Sequence, residues 1–74
     1  MEEGLYKAVF IDTEEYLGLK IGHQYEIEII QEKRNYLIVV HHDITEDLPT
    51  DIYVPMSSSI SINNTWQITE REQI

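Results

Sequence analysis

The residues best equipped for chemistry stand together in mid-chain: His41-His42-Asp43, with Glu46, Asp47 and Asp51 close behind. Imidazole and carboxylate are the ligand set of zinc and related divalent ions. Adjacent histidines at the end of a strand project from opposite faces, however, and the spacing matches no established metal motif. The expectation is a solvent loop with one histidine leaning on the fold, holding neither metal nor other cofactor. Ser57-Ser58-Ser59 supplies hydroxyls but lacks a glycine-framed elbow, a base and an orienting acid. Three isolated glycines cannot cradle a phosphate, and the absence of cysteine excludes a thiol nucleophile and a thiolate metal site. Asn63-Asn64-Thr65 spells a glycosylation sequon, which means nothing without secretion. No catalytic constellation emerges, and the expectation is a protein that is not an enzyme.

What remains is recognition. Fourteen Asp and Glu face five Lys and Arg, a formal net charge of −9 on 74 residues. Such a surface repels nucleic-acid phosphates and anionic lipids and attracts basic partners, with a pull that salt screens. The candidate partner-binding residues are Glu14, Glu15 and Tyr16 in one acidic segment, and Asp43, Glu46, Asp47, Asp51 and Tyr53 in and beyond another. Tyr16 and Tyr53 are the tyrosines expected to be exposed. Tyr25 runs in phase with Ile27 and Ile29, and Trp66 suits the closure of a small core.

These residues need elements to position them. A first strand is expected over Leu5 to Ile11, apolar on both faces and hence central or covered on both sides. Asp12 to Tyr16 is either one capped helical turn or an irregular loop. Leu17 to Ile29 reads as a loop, a tight turn at Gly22 and a half-buried strand, because Tyr25, Ile27 and Ile29 alternate with Glu26 and Glu28. The second strand spans about Gln24 to Glu32. Lys33-Arg34-Asn35 breaks it, with Asn35 suited to a left-handed position, and Tyr36 to His41 returns as the other half of a hairpin. His42 to Thr50 is expected to be an acidic loop. Asp51 to Pro55 is a short fourth strand whose proline marks an end or an edge. Met56 to Ile60 suits a helical turn, Ile62 to Thr69 a fifth strand, and Glu70 to Ile74 a frayed tail. Five short strands between turn signals predict an all-β fold, a small five-stranded barrel with at most one or two helical turns, which also removes open sheet edges. The whole chain, 1–74, is one domain with its barrel over about 5–69.

Lys7-Ala8-Val9-Phe10-Ile11, then Leu17 to Ile27, then Asn64-Thr65-Trp66 after a Ser-rich turn, resembles a group of short proteins of phages and Gram-positive bacteria with SH3-like barrels. The resemblance covers roughly residues 5 to 69, although this chain carries a longer acidic loop at His42 to Thr50. It implies an SH3-like fold and a phage or prophage setting, with no catalytic residues to carry over. Ile11 to Gly22 followed by two strands is also similar to AbrB-like swapped-hairpin DNA-binding repressors. Those carry lysines and arginines on the DNA face and usually a proline opening the short helix, whereas this segment is acidic.

The expected function is therefore protein binding, as a phage or prophage accessory factor that modulates a host protein through a basic or nucleic-acid-binding surface. Direct nucleic-acid and membrane binding are not expected. Alternatives are a structural or self-assembling module, with a homo-oligomer compatible with the sequence, and an AbrB-like regulator disfavoured by charge. The acidic N-terminus carries no basic and apolar leader, no apolar run approaches the roughly 20 residues that span a bilayer, and cysteine is absent, so the expected location is the cytoplasm.

Overall fold

A computed structural model describes residues 2–72. The elements in chain order are β1 (Gly4–Phe10), β2 (Gln24–Glu32), β3 (Asn35–Asp43), β4 (Leu48–Met56), α1 (Ser59–Thr65) and β5 (Trp66–Arg71). All strand pairs are antiparallel and form one sheet in the order β4-β3-β2-β1-β5. The all-β expectation of five strands and a short helical segment holds. Among the described residues no helix is long and apolar enough to cross a membrane.

Period-2 patterning decides which face is buried. On β1 and β2, Tyr6, Ala8 and Phe10 lie beside Tyr25, Ile27 and Ile29, and all six are buried. Ile38 and Val40 continue this face on β3, and Val54 on β4. Trp66 is the aromatic centre. Its ring meets Phe10 at 5.2 Å and Tyr25 at 5.7 Å, both edge-on, the arrangement that aromatic quadrupoles favour. Shifts of register at Lys7/Ala8, Glu26/Ile27 and Val40/His42 add the local twist that lets so small a sheet curl around its core.

Several boundaries differ from expectation, each for a local reason. β1 is paired along both edges, but its faces differ: Tyr6, Ala8 and Phe10 are buried, whereas Leu5, Lys7 and Val9 are only half-buried. The β2–β3 hairpin closes with Glu32 paired to Asn35, so the two-residue turn is Lys33-Arg34, and Lys33 rather than Asn35 takes the left-handed conformation (φ 54°). Residues 62–65 belong to α1, not to a strand. The Ser58 hydroxyl accepts from the Ser61 amide at 3.2 Å and starts the helix, which buries Ile62 and Thr65 three residues apart on one face. Glu70 and Arg71 extend β5, and the Glu72 amide donates to the Leu5 carbonyl at 2.9 Å. The frayed tail expected from Glu70 is thus not found over 70–72, and residues 73 and 74 lie outside the described residues. β4 is an end strand, as Pro55 suggested, and Pro49 and Pro55 both remove donors from it.

Candidate functional site

One end of the sheet gathers six of the fourteen acidic residues: Asp12, Glu14, Glu15, Asp43, Glu46 and Asp47. The connection over residues 11–23 carries Asp12, Glu14 and Glu15. It packs back onto the sheet through a buried Leu19 and through Tyr16, whose ring meets Phe10 edge-on at 5.5 Å. Its backbone is secured at both ends: Ile11 donates to the Thr65 carbonyl at 2.8 Å and Gly22 to the Phe10 carbonyl at 2.9 Å. Gly22 is left-handed, as the turn requires (φ 88°). Within the loop the Leu19 amide donates to the Tyr16 carbonyl, and the Ile21 amide to Glu15 Oε2 at 3.1 Å. No helix forms over 12–16, because Asp12 spends its carboxylate on the adjacent Thr13 amide at 2.7 Å.

One non-glycine residue of this loop sits where chain geometry is least comfortable. Leu17 has φ 55°, a left-handed conformation rare for a bulky side chain, and is 59 % exposed. Ile11 and Ile21 are also exposed apolar side chains on this loop. Apolar side chains therefore stand in water among Asp12, Glu14 and Glu15.

The second contributor is the β3–β4 connection. The acidic loop expected over His42 to Thr50 is much shorter than that. His42 and Asp43 are paired to β2, and Leu48 to Thr50 already belong to β4, leaving a turn over 44–47. Asp43 is consequently not an exposed partner contact: it is 5 % exposed and organises the turn. One carboxylate oxygen accepts from the Glu46 amide at 3.0 Å, and the other lies 3.1 Å from His23 Nδ1. Burial pushes the Asp43 carboxyl up, but the Glu46 and Thr45 amides and the His23 ring outweigh it and hold the group below the ordinary carboxylate value. Lys20 reaches across from the other loop to Glu46 Oε1 at 3.1 Å, and this hydrogen bond raises the ammonium pKa. The Lys20 amide donates to the Tyr25 hydroxyl at 2.8 Å, and burial raises that phenol above its usual value.

Of the residues singled out by sequence, Glu14, Glu15, Glu46 and Asp47 are exposed at this end. Tyr16 is half-buried under the loop rather than free, because its ring completes the aromatic cluster. Asp51 and Tyr53 lie on β4 along the sheet, where Tyr53 is 56 % exposed as expected and pairs with Val39. His41 and His42 diverge, His41 to Glu28 at 3.0 Å and His42 to Asp47 at 2.9 Å. The residues that sequence reasoning missed are His23 and Lys20. Their signal lay in hairpin register: Tyr25 pairs with Asp43, which puts the residues just before β2 against the turn just after β3.

The opposite end of β2 and β3 carries Lys33 and Arg34, roughly 26 Å away at the rise of an extended strand. Lys7 and Arg71 are paired on the sheet with Glu70 and Glu2. Carboxylates stand at that opposite end too, Glu32 beside Lys33 and Glu2 and Glu3 just before the start of β1. No family, curated protein or solved structure matches the chain.

Proposed function

We propose that the protein is a protein-binding module, of SH3-like barrel type and with a phage or prophage setting, that docks its acidic loop end on a basic surface of a host protein in the cytoplasm. The exposed Leu17 carries this reading. It is an apolar side chain in a strained left-handed conformation, with Ile11 and Ile21 on the same loop and Glu14 and Glu15 just before it. Leu17 and Gly18 are the left-handed centre of the turn closed by the Leu19 amide on the Tyr16 carbonyl, and this turn holds the apolar Leu17 side chain out in water, as suits a contact held ready in advance. Carboxylates around an apolar anchor supply steering and register, while the anchor supplies buried area. Glu46 and Asp47 widen the same acidic rim. Tyr53 belongs to a different face and is outside this contact. Recognition requires no catalytic group, and the reading is binding rather than catalysis.

The test is capture of partners by the tagged protein from nuclease-treated bacterial lysate at low and moderate salt, in parallel with a Glu14→Gln, Glu15→Gln, Glu46→Gln triple variant. The expected result is one basic protein, weakened by salt and by the triple variant, and not competed by duplex DNA. Competition by DNA would recast the acidic end as a DNA mimic. A symmetric oligomer on size-exclusion chromatography with no captured partner would favour a self-assembling module instead.

A further inference from the structure

Among the described residues, three metal-ligating side chains converge at the acidic end: His23, Asp43 and Glu46 each offer an atom within 4.8 Å of the others. We propose that His23 Nδ1, Asp43 Oδ2 and Glu46 Oε1 form a binding site for one divalent transition ion of the zinc class. This goes beyond the docking reading, which needs no metal.

The spacings suit it. His23 Nδ1 lies 3.1 Å from Asp43 Oδ2 and 4.0 Å from Glu46 Oε1. Ligands about 2.1 Å from a tetrahedral ion stand about 3.4 Å apart, so small side-chain adjustments bring all three onto one centre. The ligands come from three elements fixed relative to one another: the segment entering β2, the end of β3 and the turn over 44–47. Asp43 is buried and its second oxygen is already committed to the Glu46 amide. The turn is tied to β2 as well, with the Ile44 amide on the Gln24 carbonyl at 2.8 Å and the Gln24 amide on the Thr45 hydroxyl at 2.7 Å. His23 stacks on the Tyr25 ring at 6.4 Å. Supporting contacts of this kind hold ligands in place before the ion arrives.

The protein already seats a cation there. The Lys20 ammonium lies 3.1 Å from Glu46 Oε1, and its side chain is 52 % exposed. A divalent ion replaces it at the carboxylates, and the long lysine side chain swings into solvent. One imidazole with two carboxylates favours zinc or manganese over calcium, which takes oxygen ligands alone. Three protein ligands leave a fourth position open to water or to a partner's side chain.

The test is calorimetric titration of the chelator-treated full chain with zinc chloride, with imidazole nitrogen resonances followed by NMR. The expected result is one ion per chain with the His23 signals moved. Glu46→Gln and His23→Gln each weaken binding at least about tenfold. His41→Gln and His42→Gln leave it unchanged. Lys20→Gln tightens it about two- to fivefold, the range of an exposed ion pair removed from competition. Glu46 is on the surface, so its variant remains informative should His23→Gln fail to fold. Absence of heat at about a hundredfold excess over a micromolar site, binding retained by both His23→Gln and Glu46→Gln, or binding lost in His42→Gln overturns the proposal. Partner capture repeated in excess chelator separates its failure from that of the docking reading.

Discussion

The Tyr25 hydroxyl receives the Lys20 amide at 2.8 Å, although the Tyr25 side chain belongs to the core and Lys20 to an exposed loop. The same lysine places its ammonium on Glu46 of the other loop. A single core phenol thereby sets the position of the bridge between the two acidic connections. Tyr25→Phe keeps the ring and its contact with Trp66 but removes the acceptor. The expected loss is about 1 kcal/mol of stability in urea unfolding, with faster hydrogen exchange at the Lys20 amide and at neighbouring loop amides.

Stability also depends on acid through Asp43. Its carboxyl is held below the ordinary value in the folded protein, so its contribution is complete above the unfolded value of about 3.9. That contribution disappears as the pH falls through the lower folded value. In metal-free buffer, Asp43→Asn is therefore less stable near neutrality and shows a shallower decline toward low pH. Urea midpoints followed from about pH 6 down to pH 2 check this, and parallel slopes for the two proteins would refute it.

The serine run has a definite division of labour. Ser58 caps α1, and Ser59 lies inside it without a capping contact. Ser58→Ala is expected to cost about 1 kcal/mol, whereas Ser59→Ala stays within about 0.5 kcal/mol of the parent. Thermal unfolding followed by circular dichroism distinguishes the two.

On the proposed docking reading, Leu17 is needed for binding and not for folding. Leu17→Gly relieves the left-handed strain and loosens the unfolded chain, two effects of opposite sign, so stability changes by no more than about 0.5 kcal/mol. Affinity for the captured partner, measured by surface plasmon resonance, is expected to fall about tenfold with the anchor gone. Unchanged affinity would move the contact elsewhere on the surface.

Strands with strict alternation were legible without coordinates. Gln24 to Glu32 was placed to the residue, because Tyr25, Ile27 and Ile29 alternate with glutamates over a full strand length. Ile60-Ser61-Ile62 alternates too, yet it is helical, because one serine cap outweighs a two-residue pattern. Asp43 looked like one more loop carboxylate because the length of the β3–β4 connection depends on pairing with β2, a long-range fact that composition does not carry. The acidic end was visible as charge. Its convergence on His23 was not, since His23 and Asp43 are 20 positions apart and meet only through the register of one hairpin.

Trp66, the chain's single tryptophan, is walled by Phe10 and Tyr25 and is 1 % exposed. The molecule therefore carries its own optical reporter: folded protein emits from an apolar site, and unfolding shifts that emission to the red without any label. Because Tyr25 touches both this indole and the Lys20 amide, an event that frees the loop changes the intensity of the same fluorophore. Unfolding and any release of the Lys20 amide from Tyr25 can thus be followed by ultraviolet fluorescence alone.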